Sequence, residues 1–344
     1  MKAVGFNQPL PISDSRSLID LDLPEPEYGE QDLLVEVQDI AVNPADTKVR
    51  ASVQPATGTW RILGWDALGR VRAVGARVTG FKPGDRVFYA GAIDRLGSYA
   101  ELQAVDARIA THAPATLGDE DAAALPLTAL TAWETLFDRL RVEQPVAGAA
   151  HAILVIGGAG GVGSITIQLA RALTDLTVIA TASRPETVAW VEKLGAHHVI
   201  DHRQPLAPQI DALGLGAPAF VFSTTHTDDY LTDIVALIAP QGRIALIDDP
   251  ASLDIVSLKR NSLSVHWEFM FIRPLLGTAD IARQQEILAK VAALADQGKI
   301  TTTRTQSLGP ISAENLRKAH ALLESGQAIG KLTLAGFAVQ EQGA

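Results

Sequence analysis

The amino-acid sequence predicts an α/β protein of two domains, one built on a parallel sheet and one rich in short strands. Its 344 residues exceed what one ordinary hydrophobic core supports and fit two domains of common size. Up to about residue 125, short apolar runs are broken by Gly and Pro, which is typical of strands and turns. From Ala152 onward, short apolar runs alternate with helix-like stretches, which indicates a parallel sheet covered on both faces.

The periodicity of apolar residues predicts the individual elements. In the first half we expect strands at 33–42, 66–78, 85–89 and 99–105. In the second half we expect strands at 152–156, 176–181, 198–200, 219–222, 243–247 and 262–267. Helices are expected at 281–297 and 313–324, with further strands near 300–305 and at 331–334.

Composition and charge exclude several classes of function. The content of 47% hydrophobic and 20% charged residues is ordinary for a folded globular chain. The formal net charge of −10 disfavours nonspecific binding to nucleic acid or to an anionic membrane, since both need Lys and Arg. The N-terminal residues show no targeting pattern, and no apolar stretch reaches about 18 residues. We therefore expect a cytoplasmic protein with neither nucleic acid nor membrane as a partner.

A glycine-rich turn is the strongest functional motif. The run GGAGGVGS at 157–164 follows the apolar run HAILVI, and Gly158, Gly160 and Gly163 fit G-x-G-x-x-G. Glycines there allow a tight turn, close approach of the backbone to a pyrophosphate and close helix–sheet packing. The helix that follows offers unpaired N–H groups at Gly161 and Val162 and the positive end of its dipole. A glycine-rich loop without a ligand is disfavoured by its place among five βα units, so we predict a dinucleotide site.

The end of the second strand predicts which dinucleotide binds. About twenty residues past the glycines, an NAD-specific site carries Asp or Glu for the ribose hydroxyls. Ser183 and Arg184 stand there instead, and a hydroxyl and a guanidinium hydrogen-bond a 2′-phosphate that a carboxylate would repel. We therefore predict NADP(H) as the cofactor. A structural alternative stays open, because Ser183 and Glu186 with Pro185 between them form a good helix capping box.

Seven motifs occur in a recognisable order: AVNPADTKVR at 41–50, GWDALGRVRAVG at 64–75, GFKPGDRVF at 80–88, GSYAEL at 97–102, LPLTALTAWETL at 125–136, the glycine turn, and SGQAIGKLTL at 325–334. With them the chain resembles the medium-chain dehydrogenase/reductase superfamily, specifically its zinc-free quinone oxidoreductase branch. The segment SLSVHWEFMF at 262–271 is also similar to a bacterial group often called zinc-type alcohol dehydrogenase-like.

The resemblance implies a domain organisation and an assembly. A GroES-like (chaperonin-10-like) catalytic domain is formed by residues 1–126 and 273–344, and residues 127–272 form a Rossmann domain with a doubly wound parallel sheet. The expected partner is a second copy of the chain, joined as a homodimer through the Rossmann sheets. A cleft between the two domains is the expected ligand site.

The resemblance also bears on zinc. Zinc-using relatives carry Cys where Asn43 stands and His-Glu where Trp65 and Asp66 stand, and they insert a four-Cys lobe near residues 90–97. This chain contains no cysteine, which excludes thiolate zinc ligands as well as disulfides, iron–sulfur clusters and a Cys nucleophile. We therefore predict no metal site.

The resemblance implies roles for single residues in the cleft. Asn43 and Asp46 are the candidate catalytic residues, near the nicotinamide and the acceptor. The alternatives are a helix cap at Asn43 and an i,i+4 ion pair of Asp46 with Arg50. Thr131 matches a threonine that contacts the nicotinamide end, although it is otherwise an ordinary helix residue.

Further cofactor contacts are expected at the carboxyl ends of strands and near the C-terminus. His202 follows the third strand, where quinone reductases carry a Tyr over the adenosine phosphate, so the resemblance implies that it completes the 2′-phosphate site; a surface loop histidine is the alternative. Thr224 and Ile247, after the fourth and fifth strands, are expected to contact the nicotinamide. Lys331 matches the family's Gly-Lys pair near the C-terminus, so the resemblance implies that it reaches the cofactor, against the alternative of a solvated lysine. One or two aromatic residues are expected to line an apolar acceptor pocket, with core positions as the alternative: Trp60, Trp65, Trp267, Phe269 and Phe271.

These observations favour one function over two alternatives. For alcohol oxidation the zinc-containing relatives use a Lewis acid that stabilises the alkoxide, and this chain offers no such ion. Hydride transfer to a quinone or conjugated carbonyl gives a delocalised anion that needs only hydrogen-bond donors. We therefore predict an NADPH-dependent oxidoreductase that reduces a quinone or related conjugated carbonyl. An alkenal or enone double-bond reductase is the alternative within enzymes. An NADPH-binding protein with a structural or regulatory role and little turnover is the alternative from another class.

Overall fold

A computed structural model describes residues 1–337, and the chain separates into two compact units. The central unit is Thr128–Met270, and the terminal unit combines Met1–Leu127 with the chain from Phe271 onward. The sequence-based boundaries lie close to these, at 126 against 127 and at 273 against 271. The predicted domain end at 344 lies outside the described residues. Within residues 1–337, no helix has both the length and the apolar character needed to cross a bilayer.

Most strands of the described residues are short, and the two longest, of 11 and 8 residues, lie in the first half of the terminal unit. In chain order they are β1 (Lys2–Phe6), β2 (Ile19–Asp22), β3 (Asp32–Val42), β4 (Arg61–Ile62), β5 (Ala67–Val74), β6 (Arg86–Tyr89), β7 (Leu102–Asp106), β8 (Ala110–His112), β9 (Ala150–Ile156), β10 (Thr177–Thr181), β11 (His198–Ile200), β12 (Pro218–Ser223), β13 (Arg243–Leu246), β14 (Ser264–Trp267), β15 (Arg304–Ser307) and β16 (Lys331–Ala335).

The helices follow the same order. They are α1 (Pro44–Ser52), α2 (Asp119–Ala123), α3 (Pro126–Trp133), α4 (Gly161–Leu173), α5 (Pro185–Lys193), α6 (Leu206–Ala212), α7 (Thr227–Leu237), α8 (Ile272–Leu276), α9 (Arg283–Asp296) and α10 (Ala313–Glu324). A π-helical segment, Glu134–Arg139, continues directly from α3.

The central unit contains one sheet of six parallel strands in the order β11-β10-β9-β12-β13-β14. Chain order reverses between β9 and β12, so loops leave these two neighbouring strands in opposite directions. This is the doubly wound Rossmann order, in which ligands bind outside the carboxyl ends of the strands at the reversal. Leu154, Val221 and Ile244 are fully buried in its core, as the continuous apolar runs predicted.

The terminal unit contains a three-stranded sheet, β2-β1-β4, and a seven-stranded sheet in which β16 pairs antiparallel with β3. Leu332 lies opposite Val42 in that pairing, so both ends of the chain build one sheet. The β-rich character predicted for this half, and the α/β class of the whole chain, are confirmed.

Several predicted boundaries differ from the structure for identifiable reasons. The strand expected near 300–305 is Arg304–Ser307, because Arg304 pairs with Lys331 on β16. The strand expected at 66–78 ends at Val74, since Gly75 packs tightly against the backbone of Glu30, where an added Cβ would lie 2.4 Å from the carbonyl oxygen. The strand expected from residue 99 begins at Leu102.

Candidate functional site

The glycine turn joins β9 to α4, and close packing requires three of its glycines. Gly157 has a φ of +80°, and a Cβ on it would lie 2.2 Å from Thr224 Oγ1. A Cβ on Gly158 would lie 2.9 Å from the Cβ of Ala180. A Cβ on Gly163 would lie 2.3 Å from the carbonyl oxygen of Gly157. These three glycines are therefore needed by the fold of the turn itself.

Gly160 is different, because the chain around it leaves room for a side chain. It is the N-cap of α4 with an ordinary φ of −72°, and a Cβ there would come no closer than 3.5 Å, to the carbonyl oxygen of Gly157. The N–H groups of Gly161, Val162 and Gly163 in the first turn of α4 have no partner within the helix. A pyrophosphate that approaches these N–H groups closely explains a glycine at 160, so the turn fits a dinucleotide.

Residues of the neighbouring strands hold the turn in place. Thr181, at the end of β10, accepts a hydrogen bond from Gly157 N through Oγ1 at 3.0 Å and one from Gly158 N through its carbonyl at 3.2 Å. Thr224, after β12, donates from N and from Oγ1 to the carbonyl of Ile156 at 3.2 and 2.9 Å. Sequence reasoning missed Thr181, although a hydroxyl at the carboxyl end of a parallel strand is a usable signal.

The other residues predicted at the nicotinamide end also lie in the central unit. Ile247 directly follows β13 and is half-buried. The next residue, Asp248, accepts from the N–H and the hydroxyl of Thr227 at 2.7 and 2.6 Å, so it caps α7. Thr131 is buried on α3, with 5% of its surface exposed. Thr224 and Ile247 thus share the carboxyl edge of the sheet with the glycine turn.

The predicted 2′-phosphate residues follow β10, where the structure decides the capping question. The N-cap of α5 is Arg184, whose N–H donates to Thr187 Oγ1 at 3.1 Å while that hydroxyl donates to the Arg184 carbonyl at 2.8 Å. The capping box expected from Ser183 and Glu186 is therefore wrong by one residue, and the Ser183 hydroxyl does not cap the helix. The Arg184 guanidinium lies 3.2 Å from Glu186 at the surface.

His202 lies beside these residues at the end of β11. Ala182 N donates to the Ile200 carbonyl at 3.0 Å, so the segments after β10 and β11 leave the sheet side by side. Burial is the main cause that lowers the pKa of His202, and the positive charge of Arg184 lowers it further. The loop after β11 thus places His202 beside the loop that carries Ser183 and Arg184.

A buried polar cluster in the terminal unit contains Asn43, Asp66 and Lys331. The Lys331 ammonium donates to the Val42 carbonyl at 3.0 Å, to Asn43 Oδ1 at 2.5 Å and to Asp66 Oδ2 at 2.8 Å. Asn43 Nδ2 donates to the same Asp66 oxygen at 2.9 Å, and Leu127 N donates to the other at 2.7 Å. All three donors of Lys331 are used here and only 3% of the residue is exposed, which contradicts the predicted cofactor contact.

Asp46 organises the start of α1. Its two carboxylate oxygens accept from the N–H groups of Asn43 at 2.7 Å and Gly64 at 2.9 Å, and it is fully buried. Burial raises the pKa of Asp46 to about 7. The expected ion pair with Arg50 does not form, because the Arg50 guanidinium contacts the Leu10 carbonyl and Glu324 instead.

These contacts change the roles predicted for the two candidate catalytic residues. The Asn43 amide is held on both sides, by Lys331 and by Asp66, and the residue is 1% exposed. Asp46 bonds only to groups of its own unit in the contacts described above. The geometry therefore supports positioning roles for Asn43 and Asp46, in which they hold the loop between β3 and α1, rather than direct chemistry.

The donors at the positions where zinc-using relatives bind metal do not fit zinc. Asn43 offers an amide oxygen that already accepts from Lys331, and Asp66 is held by that ammonium and by two N–H groups. The Trp65 indole has no lone pair to donate; its N–H donates to the Ala92 carbonyl at 3.3 Å. Among residues 1–337, no three His, Cys, Asp or Glu side chains cluster as a metal site would require.

The aromatic candidates divide into core and surface residues. Trp65 and Phe271 are buried and meet edge to face with centroids 5.5 Å apart, so they belong to the core of the terminal unit. Trp267 and Phe269 are 51% and 46% exposed on the central unit. Trp60 is half-buried.

Comparison with known proteins gives matches to two families and to whole chains. Residues 29–115 match the alcohol dehydrogenase GroES-like domain, and residues 194–334 match the zinc-binding dehydrogenase family. A zinc-type alcohol dehydrogenase-like protein of Staphylococcus aureus is 40% identical over 336 residues, which are 97% of this chain and 99% of that protein.

Two further relatives show the same whole-chain likeness. The crystal structure of a candidate zinc-dependent alcohol dehydrogenase from Rhizobium etli has a TM-score of 0.97 and 58% identity, and the match covers 98% of this chain and 99% of the other. A quinone oxidoreductase of Pseudomonas aeruginosa is 30% identical over 90% of this chain and 92% of its own length. With its GroES-like and Rossmann architecture, the chain therefore belongs to the medium-chain dehydrogenase/reductase superfamily of oxidoreductases.

Proposed function

We propose that this chain is an NADPH-dependent reductase that transfers hydride to a quinone or a related conjugated carbonyl without a metal ion. The observation that carries the proposal is the glycine turn, in which Gly160 is not required by contacts within the chain but leaves the first N–H groups of α4 open to a pyrophosphate. Gly161, Val162 and Gly163 would hold the pyrophosphate with it.

Two further groups of residues would hold the ends of the cofactor. Ser183, Arg184 and His202, which follow adjacent strands, would bind the 2′-phosphate through a hydroxyl, a guanidinium and an imidazole. Thr224 and Ile247 would lie toward the nicotinamide end, because doubly wound sheets bind ligands at the carboxyl edge that carries them. Thr131 on α3 would join them there, as the family resemblance implies. When bound, the cofactor supplies the hydride.

The class of acceptor follows from what the side chains can stabilise. Hydride addition to a quinone or conjugated carbonyl creates a delocalised phenolate or enolate, which hydrogen-bond donors and solvent protons suffice to stabilise. For alcohol oxidation the zinc-containing relatives use a Lewis acid, and Asn43, Trp65 and Asp66 do not provide its ligands. The quinone oxidoreductase among the relatives supports the same class.

A steady-state comparison tests the proposal. Purified protein is mixed with NADPH and, in parallel, with a benzoquinone, a 2-alkenal and a saturated aldehyde, and metal content is measured on the same sample. We expect oxidation of NADPH with the quinone, no turnover of the saturated aldehyde and less than stoichiometric zinc. Faster turnover of the alkenal would favour the double-bond reductase, and tight NADPH binding without any turnover would favour a non-catalytic role. Stoichiometric zinc, with activity lost to a chelator, would contradict the metal-free proposal.

We also propose that the protein assembles as a homodimer through the edge of the central sheet. β14 is the last strand in the sheet order, and it pairs with β13 on one side. Two large apolar side chains at its end, Trp267 and Phe269, are about half-exposed, which is typical of a surface that another protein covers.

A further inference from the structure

The carboxyl end of β11 carries an ion pair that the proposed cofactor contacts do not use. Asp201 is the first residue after β11, and Arg203 follows it closely. The Arg203 Nε lies 3.1 Å from each carboxylate oxygen of Asp201, and Nη2 lies 2.7 Å from Oδ2. The Arg203 backbone N–H donates to Oδ1 at 2.9 Å. The side chain and the backbone of Arg203 therefore both bond to the Asp201 carboxylate, so the two opposite charges lie in direct contact.

This pair lies next to the residues proposed to bind the 2′-phosphate. Gln209 fixes the turn, because its Oε1 accepts from Asp201 N and its Nε2 donates to the Asp201 carbonyl, both at 2.9 Å. The segments after β10 and β11 leave the sheet together, so Arg184 and Asp201 stand on neighbouring loops. His202 is close enough to both residues for their charges to affect its pKa. Burial is the main cause that lowers this pKa; the charge of Asp201 opposes the change, and the charge of Arg184 adds to it.

The charged side chains on these two loops form two pairs, each of one positive and one negative charge. Arg184 is paired with Glu186 at 3.2 Å, and Asp201 is paired with Arg203. Removal of the positive charge of Arg203 alone would leave one net negative charge beside the phosphate position. The Arg203 side chain, and then its backbone N–H, lower the pKa of Asp201 to about 2, so this carboxylate is ionised throughout the physiological range.

We infer that Arg203 is a specificity-determining residue that sustains the preference for NADPH over NADH by neutralising Asp201. Without Arg203, the negative charge of Asp201 repels a 2′-phosphate nearby, whereas NADH carries no such phosphate and is not repelled in this way. Because Nε and Nη2 both face Asp201, Arg203 acts through that carboxylate rather than as a direct phosphate ligand. The inference rests on the proposed function, since it explains the selectivity of the same cofactor site.

Four proteins test this inference: the wild type, Arg203→Gln, Asp201→Asn and the double variant. Asn keeps the side-chain oxygen that accepts from Arg203 N, so the turn is retained, and thermal unfolding of each variant checks the fold. Dissociation constants for NADPH and NADH are measured by titration of the nicotinamide fluorescence. We expect Arg203→Gln to weaken NADPH binding about fivefold and to change NADH binding by no more than about twofold. The double variant should bind NADPH within about twofold of the wild type.

Salt gives a second readout. At about 1 M salt the loss of NADPH affinity in Arg203→Gln should shrink, because the Debye length there is about 3 Å.

The outcomes separate this inference from the proposed function. A wild type that binds NADPH and NADH equally overturns both. A wild type that prefers NADPH, with an unchanged preference in Arg203→Gln, overturns only the inference. A double variant as weak as Arg203→Gln also overturns it, because Arg203 would then contact the phosphate directly.

Discussion

At the scale of single residues, Gly160 and Gly163 are alike in sequence but differ in what requires them. A Cβ on Gly163 would overlap the Gly157 carbonyl oxygen, whereas one on Gly160 would meet ordinary contact distances. Substitutions at these two positions can therefore distinguish a loss of ligand binding from a loss of fold stability.

We expect Gly160→Ala to weaken NADPH binding at least tenfold while the midpoint of thermal unfolding stays within about 2 °C of the wild type, because its Cβ would lie where the pyrophosphate approaches the backbone. Gly163→Ala is the matched control, and its overlap with backbone should lower stability by about 1–3 kcal/mol. Calorimetric titration and thermal unfolding measure the two effects. Undiminished NADPH affinity in Gly160→Ala would show that no ligand approaches this residue closely.

Local motifs were more predictable from the sequence than contacts between residues far apart in the chain. The glycine turn could be predicted because its motif occupies one short stretch of sequence between β9 and α4. Lys331 could not be placed, because its acceptors Asn43 and Asp66 lie on elements that only the antiparallel pairing of β16 with β3 brings near it. A lysine after a glycine gives no sign in the sequence that it is buried.

At the scale of elements, the Lys331–Asp66 pair joins β16 to the residue that precedes β5. The two side chains are 3% and 0% exposed, so neither charge is screened by solvent. Removal of one charge from a buried pair usually destabilises a protein by about 3–5 kcal/mol, because the other charge stays buried without compensation.

We expect Lys331→Met to lower the free energy of unfolding by about that amount at pH 8, measured by urea denaturation. Burial raises the pKa of Asp66, and the ammonium of Lys331 opposes that rise, so the variant raises this pKa further. A carboxyl with a raised pKa in the folded state stabilises the fold while it is protonated, and this contribution is lost as the pH rises through that pKa. The variant should therefore be less destabilised at pH 5 than at pH 8.

The double variant Lys331→Met, Asp66→Asn is the control for this prediction. It removes the unpaired charge and keeps a side chain of similar shape, so it should recover much of the stability lost at pH 8. If the double variant is as unstable as Lys331→Met at both pH values, packing of the lysine chain rather than charge explains the loss.

Some element boundaries were predictable to the residue from the sequence, and others were not. α10 and β11 begin and end at the predicted residues, and β16 begins as predicted but ends one residue later, at Ala335. The start of α5 was misplaced by one residue, since Thr187 rather than Glu186 returns the capping hydrogen bond. The π-helical segment after α3 was not foreseen, because its defining contact, Leu140 N to the Thr135 carbonyl at 2.8 Å, leaves no compositional sign.

At the scale of the whole molecule, the fold class was predictable because it depends on alternation and motif order rather than on exact contacts. Assembly is a different question, and the hydrogen bonds of β14 bear on it. Ser264 N donates to the Gly242 carbonyl and Glu268 N to the Leu246 carbonyl, so the alternate residues of β14 face β13. The N–H and C=O groups of Val265 and Trp267 consequently point outward at the sheet edge, where a second copy could pair with them.

We therefore expect the wild type to be a dimer and Val265→Pro to be a monomer in analytical ultracentrifugation. Proline removes the outward N–H of residue 265, while the hydrogen bonds of β14 to β13 use its neighbours and are kept; edge strands tolerate proline for this reason. Trp267→Lys should weaken the dimer by a different route, since it places a charge in an apolar surface, and cooperative unfolding should be retained in both variants. A Val265→Pro protein that stays dimeric would show that the copies meet on another surface, and a monomeric wild type would refute the proposed assembly.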